Sequence, residues 1–168
     1  MRRGPAISYF DPAELVTLEI DVAPGEVPPV EAAPIDVRPG DAARPAQKIL
    51  LLDDRNDFRE VLTDHLVSRL FQVTPVPSGV EGLQEIRKGS FDLIICDMMM
   101  PRMGGEMFYW AVTRIRPATA QRFIFFTGHQ SNPAIEFFFK RINATVLTKP
   151  FTLKALDATI DEVLRKIV

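Results

Sequence analysis

Several things are scarce in this sequence, and each scarcity excludes something. A single cysteine, Cys96, leaves no partner for an internal disulfide; it lies inside an apolar run, reads as a small buried hydrophobe and suits a reducing compartment. Charge of one sign is lacking too, since 20 basic against 22 acidic residues give a net charge of -2, and nothing in that balance calls for nucleic acid or a membrane surface. No apolar run approaches the ~20 residues of a membrane span. Met1, Arg2 and Arg3 open like a signal peptide, but Gly4, Pro5 and Asp11 interrupt the apolar segment of about 7–15 residues that would have to follow. A cytoplasmic protein is expected. The 168 residues suffice for one ordinary domain and some extra chain, and 46% apolar with 25% charged residues is the make-up of a globular protein.

What is present divides unevenly. Eight of the fourteen prolines precede Lys48, and residues 1–46 carry eight acids against four bases. PGEVPPVEAAPIDVRPGDAARPAQ can supply no regular ladder and reads as an extended, semi-stiff linker. Before it, VTLEIDV at 16–22 alternates apolar and polar residues, the signature of a half-buried strand. Residues 1–46 are therefore expected to be a Pro/Ala/acid-rich tail with a possible short strand, and 47–168 the folded domain.

From Lys48 onward, strand and helix patterns alternate. Expected strands are KILLL (48–52), 72–76, 91–96, RFIFF (122–126) and TVLT (145–148). Between and after them come amphipathic segments at 57–70, 79–88, 106–115, 133–142 and 153–167, the first with Phe58, Val61, Leu62, Leu66 and Leu70 on one face. Strands without polar alternation, each followed by a helix, require a parallel sheet covered on both faces. The expected fold is α/β and doubly wound, in the flavodoxin-like manner. Pro75 removes a ladder donor, which puts the second strand at an edge and favours the order 2-1-3-4-5. In that order ligands bind beyond the carboxyl ends of strands 1 and 3.

Those strand ends carry the chemistry. Strand 1 runs into Asp53-Asp54, strand 3 into Asp97, strand 4 into Thr127 and strand 5 into Lys149-Pro150. Singly, each has a plain reading as a helix cap, a turn, a strand residue or a solvated amine. Together they bring three carboxylates, a hydroxyl and an amine to one crevice. Two carboxylates ~4 Å apart repel by about 4 kcal/mol even at an effective dielectric of ~20, so something cationic must offset them. Hard oxygen donors without imidazole or thiolate suit Mg²⁺, and Lys149 adds a second positive charge. These are the parts needed for phosphoryl transfer, with Asp97 the best candidate for a carboxylate nucleophile.

LLLDDRNDFREVL, FDLIICDMMMPRMGGE, FFTG and LTKPF, at these spacings, resemble the receiver domain of two-component response regulators from about Lys48 to Val168. The resemblance implies that Asp97 accepts a phosphoryl group from a phosphohistidine on a sensor kinase or histidine phosphotransfer protein. Asp53, Asp54, Asp97 and the backbone carbonyl of Met99 would surround Mg²⁺. Thr127 would contact the phosphoryl oxygens, Lys149 would neutralise them, and the amides of Met98 and Gly128 would complete the cradle. The Lys149-Pro150 bond would be cis. In departure from the family, Val146 stands where an aromatic switch residue is usual, three positions before the lysine.

Other features have modest readings. Met98, Met99 and Met100 are expected to serve loop and core packing, and Gly104-Gly105 a tight turn. Phe137, Phe138 and Phe139 cannot all face inward on one helix, so at least one should be exposed, where a downstream partner or a second copy could dock. His65 reads as structural; His129, two residues after Thr127, could tune the lifetime of an acyl phosphate or simply face solvent. The leading expectation is a phosphorylation-controlled switch or relay, not an enzyme acting on other substrates, either stand-alone or the terminal receiver of a hybrid kinase. The alternative is a phosphorylation-independent interaction module on the same fold. An aspartyl-phosphate hydrolase is disfavoured because Met99 occupies the position of its second aspartate. Nucleotide binding is disfavoured by the lack of a glycine-rich turn after strand 1.

Overall fold

The computed structural model describes residues 46–128 and 132–167. The tail, its proposed strand at 16–22 and His129 lie outside the described residues. Five strands, β1 (Lys48–Leu52), β2 (Gln72–Val76), β3 (Leu93–Asp97), β4 (Phe123–Thr127) and β5 (Thr145–Thr148), form one parallel sheet in the order β2-β1-β3-β4-β5. The helices are α1 (Asn56–Ser68), α2 (Gly79–Lys88), α3 (Gly105–Ile115), α4 (Pro133–Ile142) and α5 (Leu153–Ile167). Pro75 lies in the edge strand β2, where its missing N–H interrupts no second ladder.

The continuous apolar strands follow from two cores. Leu50, Leu52, Ile94, Cys96, Phe123 and Phe125 point into a layer with Ile86 of α2, Phe108 and Val112 of α3 and Phe138 of α4. Their neighbours Ile49, Leu51, Leu93, Ile95, Ile124 and Phe126 point the other way, against Leu62 and Leu66 of α1 and Leu156, Ile160 and Val163 of α5. With successive side chains on opposite faces and both faces covered, no position in β1, β3 or β4 is left for a polar residue until the strand ends.

Helix starts follow local chemistry. Ser78 caps α2 by accepting from the Val80 amide at 3.2 Å, and its hydroxyl donates to the Glu81 carboxylate in the first turn. Asn132 accepts from the Ala134 amide at 3.0 Å ahead of Pro133, and Asn143 ends α4 with φ 51°. Helix α1 departs from expectation at its far end. It stops at Ser68, and Leu70 adopts φ 67° with 83% of its surface exposed; Val61 is 44% exposed. Phe58, Leu62 and Leu66 recur at four-residue steps along the seam, whereas Val61 lies about 100° away from its centre. A 3₁₀ segment, Pro117–Arg122, precedes β4 and was not foreseen, since so short an element has no apolar period to read.

Candidate functional site

Parallel register brings the strand ends side by side: Leu52 pairs with Cys96, Asp97 with Phe126 and Thr127 with Thr148. Asp53 extends β1 by donating its amide to Val76, and the Lys149 amide donates to the Thr127 carbonyl at 2.7 Å. Carboxylate oxygens of Asp53, Asp54 and Asp97 all lie within 4.8 Å of one another, with Asp53 and Asp97 buried and Asp54 exposed. Lys149 closes the group, its Nζ 2.9 Å from Asp53 Oδ2 and 3.3 Å from Asp97 Oδ1. Its bond to Pro150 is cis. A cleft of about 400 Å³ opens over Asp54, Asp97 and Lys149, bordered also by Arg55, Thr127 and Gly128, with Asp53 buried beneath.

Burial pushes the Asp97 carboxyl above its ordinary value; Lys149 opposes this, while Asp53 and Asp54 reinforce it. Burial also drives the Cys96 thiol well up, and the charges of Asp97 and Asp53 add to that, so the thiol is inert packing, as its place in β3 suggested. Three carboxylates with no imidazole or thiolate among their donor atoms form a hard-oxygen set, and that chemistry fits Mg²⁺.

The site has supports that the sequence did not reveal. Arg59 donates to the Asp53 carbonyl at 2.6 Å, and the Arg55 amide donates to Asp53 Oδ1 at 2.9 Å. The glycine pair is explained by close approach: a Cβ on Gly105 would stand 2.8 Å from the Asp97 carbonyl oxygen, and one on Gly104 2.9 Å from that of Met98. One expectation requires correction. The Met98 amide donates to the Phe126 carbonyl at 3.0 Å as part of the sheet, so it is engaged within the fold and is not presented to the cleft. Met98 and Met100 are buried and Met99 is 67% exposed, which agrees with a packing role for the first and third. Within α4, Phe138 is buried and Phe137 exposed. His65 Nε2 lies 2.8 Å from Asp157 Oδ1, which also receives Arg69, so this histidine ties α1 to α5 away from the cleft.

Among the described residues no helix is long and apolar enough to cross a membrane. The profile of the response regulator receiver domain matches residues 49–161. The transcriptional activator protein PfeR of Pseudomonas aeruginosa is 32% identical over 123 residues, 73% of this chain but 39% of PfeR, so the chain spans well under half of that relative. The probable chemotaxis protein CheY of Rhizobium etli is 32% identical over 118 residues, 69% of this chain and 91% of that protein. Among solved structures, CheY4 of Vibrio cholerae superposes with a TM-score of 0.65 at 29% identity, covering 71% of this chain and 99% of its own. With the strand order, the acidic cluster and these matches agreeing over the same residues, the chain belongs to the response regulator receiver domain family of two-component signalling proteins.

Proposed function

We propose that Asp97 is the phosphoryl acceptor of a phosphorylation-controlled switch or relay. The donor is a phosphohistidine on a sensor kinase or histidine phosphotransfer protein. A carboxylate oxygen of Asp97 attacks phosphorus as the P–N bond breaks, and the electron pair leaves with the imidazole nitrogen. The observation that carries this reading is the Lys149 ammonium between Asp53 and Asp97, a fixed positive charge where the phosphoryl oxygens would arrive. Asp53, Asp54, Asp97 and the Met99 carbonyl would hold Mg²⁺, which when bound supplies charge neutralisation to the same oxygens. The Thr127 hydroxyl and the Gly128 amide, at the rim of the cleft, contact the phosphoryl group. Because burial favours protonated Asp97, the ionised nucleophile is depleted first on the acid side.

Phosphorylation then alters a partner-binding face. Helix α4, with Phe137 67% exposed, is the surface offered to a downstream protein or a second copy. The cytoplasm is the proposed location. Incubation with a small acyl phosphate and Mg²⁺ should add one phosphoryl mass, and Asp97→Asn should abolish it. Unchanged mass in the wild type would favour an interaction module that works without phosphorylation.

A further inference from the structure

Lys149 has a second set of neighbours besides the carboxylates. Its Nζ stands 4.6 Å from the ring centroid of Phe58 in the first turn of α1 and 5.6 Å from that of Phe126 in β4. Phe58 meets Phe126 edge to face at 6.1 Å and Phe151 at 5.9 Å, and the Phe126 and Phe151 centroids are 4.7 Å apart. The Arg55 guanidinium carbon also lies 4.6 Å from the Phe58 centroid. One ring therefore serves both cations that border the acidic cleft.

This matters because a lysine is a compact charge on a flexible four-carbon stem. Its two carboxylate contacts are to Asp53 and Asp97, and Asp97 itself changes during the proposed reaction. The ring does not change. A π-face attracts an ammonium through its quadrupole, whereas an aliphatic side chain of similar size would fill the space and offer no attraction. Position 146, where the family resemblance expects an aromatic, holds Val146; the aromatic contacts of Lys149 come from α1 and β4.

We propose that Phe58 is a positioning residue for phosphoryl transfer to Asp97, its ring holding the Lys149 ammonium, with Arg55 as a second guest, at the mouth of the acidic cleft. The inference rests on the reading of Asp97 as acceptor. Neither its sequence spacing nor its place in the apolar stripe of α1 distinguishes Phe58 from an ordinary core residue; the two cations do.

The test compares wild type, Phe58→Leu and Phe58→Tyr in the full chain. With a small acyl phosphate at saturating Mg²⁺, Phe58→Leu should lower the rate constant of phosphoryl uptake about 3- to 10-fold, and Phe58→Tyr should stay within about twofold of wild type. A second readout needs no reaction. In ¹³C-lysine-labelled protein, the ε-methylene protons of Lys149 should be displaced upfield by the ring in wild type and Phe58→Tyr, and return toward the ordinary lysine position in Phe58→Leu. Wild-type resonances at the ordinary position overturn the inference without recourse to any variant, as does Phe58→Leu reacting at the wild-type rate. If wild type gains no phosphoryl mass while its Lys149 resonances are displaced, the acceptor reading fails and the cation–ring contact stands.

Discussion

At the residue scale, Asp97 is held in tension between burial and its role. Burial raises its carboxyl above the ordinary value despite Lys149, so the folded chain binds this proton more tightly than the unfolded chain does. The ionised side chain therefore costs stability; that cost is complete above the folded-state pKa, shrinks as pH falls, and is gone below the unfolded value of about 3.9. Asp97→Asn carries no such charge. It should show a higher urea midpoint than wild type at pH 7, with the gap closing as pH is lowered toward about 4. A gap that is absent at pH 7 or that widens in acid would contradict this account of the site. The convergence of Asp53, Asp54, Asp97, Thr127 and Lys149 was legible in the sequence, because each stands where an apolar strand ends and a parallel sheet aligns such ends. Arg59, the engaged Met98 amide and the Phe58 ring were not legible. Their roles depend on atoms brought together across loops, and no period or local motif encodes them.

At the scale of elements, β1, β2 and β5 and helices α2, α4 and α5 fell at their expected bounds, and the others were displaced by one or two residues, β3 to Leu93–Asp97 and β4 to Phe123–Thr127. A strand buried on both sides needs no choice of face, whereas α1 presents a narrow seam, so Val61 and Leu70 satisfied the pattern and still fell outside the core. Helix α2 offers a contest that magnitudes can decide. Gly82 faces inward, and a Cβ there would lie 2.7 Å from Leu52 Cδ2 and 2.9 Å from a Phe108 ring carbon. Alanine gains about 1 kcal/mol in helix propensity over glycine. Against that, Leu52 and Phe108 are fully buried, so neither can move aside without displacing other side chains, and overpacking of this kind costs about 1–3 kcal/mol. Gly82→Ala should therefore be destabilised by about 1 kcal/mol in urea unfolding, with an unchanged m-value. A stabilised variant would show that α2 can slide outward from β1 and α3 at little cost.

At the scale of the whole molecule, the division of the chain near residue 47 can be tested through the core. Among the described residues, both core clusters draw only on side chains from Ile49 to Ile167, and the acidic cluster with Lys149 falls between the same limits. Each layer is closed by helices on its own side of the sheet: α2, α3 and α4 on one face, α1 and α5 on the other. Stability that comes from burying these two layers is lost only if one of their members is removed. A chain trimmed to residues 47–168 should then unfold cooperatively at the same midpoint as the full chain and take up a phosphoryl group from a small acyl phosphate at the same rate. The two readouts separate the possibilities. A lower midpoint would mean that residues 1–46 add to the packed layers, and an altered rate at an equal midpoint would mean that they act on the cleft.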